Sequence, residues 1–318
     1  MKEVFLHLGA AVLLFTMLIV VTPPCNAGTH PSSRYFHSGD GSIAITSAKN
    51  GESFSGMYRS TDGIYQEEAI KAIHRVFDAP YGTPLSEISL RLVEFLDFLV
   101  DSLQPEGKVT IVSGWRSPEY NRKLREKGRL AAKASLHQYG MAADIKVEGL
   151  SSERIWKYVK EIGFGGAGYY HGEMVHIDVG PPRTWDERTS GVGTDISDEN
   201  KLIGLVADQD IYLTGESIRL RFIRMTMFPI GVSPKFVLER VNKEGEEPER
   251  IPFRPDFGRE VSEPCPEFHD IGEMAGITWR LPNDLPAGQY RIRASFCSKE
   301  WERMPRDVAT TAFQVSTP

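Results

Sequence analysis

The run Ser135-Leu-His-Gln-Tyr-Gly-Met-Ala-Ala-Asp144, followed downstream by Glu173-Met-Val-His-Ile-Asp178, constrains the fold more than any other feature of this chain. It sets out two imidazoles and a carboxylate, His137, Asp144 and His176, as a candidate metal-ligand set. In hydrolytic enzymes Zn²⁺ takes three protein ligands and leaves a fourth position to a water, whose pKa falls to roughly 7. The spacing is not that of H-E-x-x-H, in which two histidines share one helix face, so the ligands must meet from separate elements. Met141 to Val147 and Met174 to Val179 read as short buried strands. Side chains alternate along a strand, which puts His176 and Asp178 on one face and Val175 and Ile177 on the other, as core. Gly140 permits a tight turn that brings the His137 loop back over Asp144. Two adjacent strands can then hold all three ligands.

Together with Ser113-Gly-Trp-Arg-Ser-Pro-Glu-Tyr-Asn121, Gly166-Ala-Gly-Tyr-Tyr170 and Val175-His-Ile-Asp-Val-Gly-Pro181, these motifs resemble the LAS-type zinc peptidases of the M15 group. That group includes D-Ala-D-Ala peptidases and murein endopeptidases, and the match is nearest to the murein endopeptidase K branch. The resemblance runs from about Arg34 to Trp185. It implies one zinc ion per chain on His137, Asp144 and His176, with Arg116 stabilising an oxyanion and Ser135 touching substrate. Glu173 stands where D-Ala-D-Ala peptidases carry their general base. The implied substrate is the stem peptide of peptidoglycan.

The chemistry can be stated from the residues as well. Zinc polarises a scissile carbonyl and activates water, and a carboxylate takes the water's proton and returns it to the leaving amine. Glu173 is the better candidate for that base, with a solvated turn residue after Gly172 as its plain alternative. Asp178 is either a second candidate base or an acceptor that orients the His176 imidazole. Arg116 suits a developing oxyanion because a guanidinium stays charged and donates paired hydrogen bonds; the alternative is an ordinary helix-start pair with Glu119. Tyr170, with Tyr169 and His171, either lines the cleft and meets substrate or simply packs.

With 318 residues, 41% hydrophobic and 25% charged, the chain can bury two cores. A net charge of −6 with no basic cluster argues against nucleic acid. Residues 1–27 read as an export signal: Lys2, the apolar run Val4 to Val21, Pro23 and Pro24, then a small-residue site at Cys25-Asn-Ala27. The weak charge at its start leaves an uncleaved membrane anchor as the alternative. Export to the periplasm or cell envelope makes the cysteines meaningful, and Cys265 and Cys297 are expected to form a disulfide rather than two buried thiols.

A helix is expected over Tyr65 to Phe77, and a second one opening at Thr83-Pro84 with Leu85, Ile88, Leu92, Phe95 and Leu99 on one apolar stripe. Ser117-Pro118 starts a third, ending near Gly128, and Ser151 a fourth, ending at Gly163. Val109 to Ser113 is a strand that delivers Arg116. The expectation for residues 28–187 is an α+β zinc peptidase domain with a small antiparallel sheet and flanking helices. The polar stretch from Arg183 to Asn200 reads as linker or exposed loop, with 188–200 as the linker proper. From 201 to 318, period-two runs between turn signals indicate an all-β sandwich, whose Leu285-Pro-Ala-Gly-Gln-Tyr290 turn resembles bacterial immunoglobulin-like domains. Glu244 to Arg250 reads as a charged loop.

The functional expectation is an exported zinc metallopeptidase that cuts peptidoglycan cross-links, with L,D bonds between diaminopimelate residues favoured by the nearest branch. Two alternatives remain, a D-Ala-D-Ala carboxypeptidase and a non-catalytic zinc-containing module that grips peptidoglycan.

Overall fold

Alternating side chains in Ser42–Ser47 (β1) and Val109–Ser113 (β3) bury Ile43, Ile45, Val109 and Ile111 along one face. The computed structural model describes residues 33–83, 86–128, 131–189, 202–241, 248–261, 264–297, 302 and 304–317. In it these strands belong to a seven-stranded sheet with β2 (Ser53–Met57), β4 (Ala142–Val147), β5 (Gly166–Tyr169), β6 (Val175–Asp178) and β7 (Arg183–Asp186). The order is β2-β1-β3-β4-β6-β5-β7, with β1 parallel to β3, β5 parallel to β7, and antiparallel pairing elsewhere. The sheet is therefore larger than the small antiparallel one expected, and mixed. Its extra strands come from short Ser-rich segments, and from an edge strand, β7, whose half-exposed polar residues read as linker. The export-signal segment 1–27, residues 190–200 of the linker and residues 244–247 of the charged loop lie outside the described residues.

Helices α1 (Glu67–Val76), α2 (Leu90–Leu103), α3 (Pro118–Glu126) and α4 (Ser152–Ile162) follow the expected signals with one correction. The Ser117 and Ser151 hydroxyls accept from the N–H groups of Tyr120 and Arg154, and Gly163 ends α4 in the left-handed conformation at φ 64°. Helix α2 starts at Leu90 rather than at Thr83. The preceding stretch bonds elsewhere: the Ser86 hydroxyl to the Pro80 carbonyl, the Ile88 N–H to His74 Nε2 and the Ser89 N–H to the Gly140 carbonyl. Ile88, Leu92, Phe95 and Leu99 are buried as a stripe, in one core with Ile73 of α1, Ile155 of α4 and the apolar face of the sheet.

The remainder is almost wholly β: β8 (Gly204–Ala207), β9 (Ile211–Leu213), β10 (Ser217–Ile223), β11 (Ile230–Gly231), β12 (Phe236–Arg240), β13 (Arg250–Phe253), β14 (Glu267–Phe268), β15 (Ile277–Arg280), β16 (Gly288–Ser295), β17 (Asp307–Ala309) and β18 (Phe313–Ser316). A three-stranded sheet, β15-β10-β8, and a six-stranded one, β13-β12-β16-β18-β9 with β17 on β16, share a second core around Leu220, Phe222, Leu238, Ile292 and Phe313. Cys265 and Cys297 are joined in a disulfide that ties the approach to β14 to the end of β16. No helix among the described residues is long and apolar enough to cross a membrane.

The two cores are stitched together, and residues 31–318 fall into one compact unit. Arg91 of α2 reaches the Ala207 carbonyl at 2.9 Å and the Asp210 carboxylate at 2.8 Å. Arg34 pairs with Glu216, and its carbonyl accepts from the N–H groups of Asp210 and Ile211. Val206 and Ile223, from the β part, belong to the first core. Both side chains of the Arg91–Asp210 pair are almost fully buried, so removing one charge strands the other. Arg91→Met is expected to cost about 3–5 kcal/mol of unfolding free energy, read by denaturant titration.

Candidate metal centre

Antiparallel pairing sets Asp144 of β4 directly opposite His176 of β6, and Ala142 opposite Asp178. The same residues of β6 face Gly168 and Gly166 of β5 on their other side. Small neighbours are required there: a Cβ on Gly166 would lie 2.1 Å from an Asp178 oxygen, and one on Gly168 would lie 2.0 Å from the Trp185 ring. Val175, Ile177, Ala143 and Ile145 point the other way, into the first core. The third residue, His137, sits in a short 3₁₀ turn, Leu136–Tyr139, closed by Gly140 at φ 64°. Its Nε2 lies 3.3 Å from His176 Nδ1 and 3.5 Å from Asp144 Oδ1, and His176 Nδ1 lies 3.1 Å from the same Asp144 oxygen.

The partners of the remaining ring nitrogens decide what this cluster offers. His137 Nδ1 is 2.8 Å from the Gly114 carbonyl, which can only accept, so Nδ1 carries the proton and Nε2 presents a lone pair. His176 Nε2 is 3.0 Å from Asp178, which accepts a hydrogen bond from its N–H, so that in the neutral ring the Nδ1 lone pair faces inward. Two nitrogen lone pairs and a carboxylate oxygen thus converge in a buried site, an arrangement that a cation relieves; the three residues could hold a metal ion. Burial and the nearby Arg116 charge lower the His137 pKa, favouring the neutral ligating form. Burial alone would lower the His176 pKa too, but its bonds to Asp144 and Asp178 outweigh that and raise it. Burial raises the Asp144 carboxyl, yet His137 and His176 hold it well below the usual carboxylate range.

Around the cluster, Arg116 Nη2 donates to Asp144 Oδ2 at 2.8 Å and its Nε to the Ser113 hydroxyl at 2.9 Å, while Glu119 pairs instead with Lys123. The Tyr170 hydroxyl donates to Asp144 Oδ1 at 3.0 Å. Asp178 is fully buried, and its oxygens accept from His176, the Gly180 N–H and Arg183. Burial raises its pKa, but Arg183 and His176 prevail and hold it at about 2. Glu173 lies apart from this network, with its side chain 83% exposed and its carboxylate on Lys146. Both line a cleft of about 940 Å³ together with Trp115, Arg116, Asp144 and Tyr170. Ser135 precedes the ligand turn and is partly exposed. Sequence reasoning missed Gly114, Arg183 and Trp185, whose ring lies 5.7 Å from that of His176. Gly114 acts through a backbone carbonyl that no side chain announces, and the other two fall in the stretch that read as linker.

Residues 38–185 match the family model described as Peptidoglycan L,D-endopeptidase MepK. Peptidoglycan L,D-endopeptidase MepK of Escherichia coli K12 is 33% identical over 144 residues, covering 45% of this chain and 79% of that protein. The Shigella flexneri protein of the same name matches to the same extent. A probable member from Haemophilus influenzae is 33% identical over 80 residues, 25% of this chain and 43% of that one.

This chain belongs to the MepK peptidase family. Every residue of the candidate centre lies inside the family match, and the β part beyond Asp186 lies outside it. The arrangement Asp178–His176 in this MepK-family chain predicts a sharp effect of one atom. In Asp178→Asn the amide can donate to Nε2 and so favour the tautomer that protonates the inward Nδ1. Metal affinity, measured by competition with a chelator, is expected to fall about tenfold to a hundredfold.

Proposed function

We propose that the protein is an exported zinc-dependent peptidase that cuts L,D peptide cross-links in peptidoglycan. The observation that carries this reading is the convergence of His137 Nε2, His176 Nδ1 and Asp144 Oδ1. Donors bonded to zinc at about 2.0–2.1 Å in a tetrahedral shell stand roughly 3.3 Å apart, and the three separations are 3.1, 3.3 and 3.5 Å. Two imidazoles and one carboxylate are also a donor set that zinc accepts while keeping a position open. The substrate class is taken from the relatives that carry the L,D-endopeptidase name.

Zinc, when bound, supplies Lewis-acid polarisation of the scissile carbonyl and lowers the pKa of a water to roughly 7. The protein's own groups do the rest. Arg116 and Tyr170, both lining the cleft beside Asp144, are the donors for negative charge developing on the carbonyl oxygen. Asp178 acts as the orienting acceptor of His176 rather than as the base, since both its oxygens are engaged and it is buried and does not line the cleft. Glu173 is the base we favour. Its bond to Lys146 is an exposed ion pair, weak in water, so the carboxylate can turn into the cleft when substrate excludes solvent. Lys146 also lowers its pKa, keeping it ionised and able to accept a proton. Ser135 would meet substrate at the mouth of the ligand turn.

The organisation we propose is an export signal over 1–27, a peptidase domain over 28–187, a linker over 188–200 and an immunoglobulin-like sandwich over 201–318. The two sheets that share the second core support the last of these.

The decisive experiment supplies the purified protein with stoichiometric zinc, or with chelator, and follows defined cross-linked muropeptides by mass spectrometry. Zinc-dependent conversion of L,D-linked dimers to monomers is expected; release of terminal D-Ala alone would instead establish a carboxypeptidase, and intact substrate with bound zinc a non-catalytic module. His137→Ala should abolish both zinc binding and cleavage. Arg116→Lys should keep zinc and lower kcat by about 10²–10³, the usual cost of losing one oxyanion donor.

A further inference from the structure

We infer that the C-terminal β part is a component of the metal centre, with Tyr139 and Arg221 as positioning residues that hold His137 in place for the ion. The inference rests on the zinc reading of the site. His137 and Tyr139 belong to the same four-residue 3₁₀ turn, so a shift of one end moves the other. A single 3₁₀ turn has poor hydrogen-bond geometry of its own and takes its position from what grips it.

On the peptidase side the turn is held by the Arg116 N–H on the His137 carbonyl at 3.2 Å and by the Met141 N–H on the Leu136 carbonyl at 3.1 Å. Its far end is held from outside the family match. Arg221 of β10 donates to the Tyr139 carbonyl at 2.7 Å, and the N–H of Met225, just beyond β10, donates to the Tyr139 hydroxyl at 3.2 Å. Tyr139 is buried, as is the bond to its hydroxyl, while the bond to its carbonyl is part-buried. Strand β10 is itself anchored, because Leu220 and Phe222 on either side of Arg221 are fully buried in the second core and Ile223 in the first. Gly140 fixes the exit: its positive φ and the Glu87 carbonyl, which would lie 2.1 Å from an added Cβ, leave the turn one route back to β4.

A well-formed metal site keeps its ligand distances within about 0.2 Å of their ideal values. The peptidase side also grips the turn through the Gly114 carbonyl on His137 and the Lys133 carbonyl on Gln138, and the β part adds the hold at Tyr139. The β part thus makes the ligand turn rigid from behind, where the family match supplies no residue.

The test uses the full protein with Tyr139→Phe, which deletes one acceptor and keeps the ring, and Arg221→Met, which deletes the donor and keeps the stem. Arg219→Ala is the control, since Arg219 lies on the same strand but pairs with the Glu87 carboxylate and not with the turn. Zinc affinity by chelator competition, thermal unfolding of the metal-free protein, and kcat and KM on cross-linked muropeptides are measured for each. Tyr139→Phe and Arg221→Met are expected to weaken zinc binding about tenfold and lower kcat at unchanged KM, while Arg219→Ala keeps wild-type affinity. If Tyr139→Phe does not fold, Arg221→Met decides. Wild-type zinc affinity in the folded turn variants, whatever their melting temperature, would overturn the inference and leave the zinc reading intact. Failure of the wild type to bind zinc would overturn both.

Discussion

The antiparallel register between β4 and β6 is the constraint on which the rest of the site depends. With Asp144 opposite His176, a carboxylate and an imidazole approach across one strand pair without any loop having to place them. Because the side-chain period of a strand is two, a slip of one residue would part the two, sending Asp144 or His176 to the apolar face and bringing Ile145 or Ile177 out. Burial of Ala143, Ile145, Val175 and Ile177 on the opposite face sets the register, so the hydrophobic effect that folds the sheet also positions the ligands. The glycines of β5 complete the arrangement by leaving room for Asp178 and Trp185.

Packing so many polar groups into one place is costly unless each has a partner of the right kind. Here each polar group meets a complementary one: Arg116 on Asp144, Asp144 beside His176, His176 on Asp178 and Asp178 on Arg183. The Gly114 carbonyl fixes His137 at the remaining corner. Such a chain leaves the ring nitrogens with one favourable protonation pattern, and in that pattern the lone pairs face each other. The three residues could therefore hold a metal ion.

The β part has a closer relation to this centre than a separate domain on a linker would have. A buried ion pair, Arg91–Asp210, joins the two cores, and Arg34, at the start of the described chain, is bonded to residues of the β part. The seam reaches the ligand turn itself through Tyr139. Burial at this seam packs the two parts into one compact unit whose contacts reach the turn that carries His137.

Much of the centre was legible from residue types and spacing. The pattern around His137, Asp144 and His176 singled out three residues that come together, the period-two alternation marked β4 and β6, and the Ser-Pro and Gly signals marked α3 and α4, because these features are local. Helix α2 starts later than its Thr-Pro signal implies because the Ile88 and Ser89 N–H groups bond to His74 and Gly140, partners distant in the chain. β7 looked like linker because an edge strand needs only one neighbour and little apolar content. For Asp178, the sequence left base and orienting acceptor open. What the sequence by itself determined was the donor chemistry and the strands that carry it. Only the tertiary structure decided which nitrogen of each histidine faces inward, that Asp178 is sealed behind His176 while Glu173 stands in the cleft, and that β10 backs the ligand turn, because each depends on contacts between residues distant in the chain, to which local periodicity is blind.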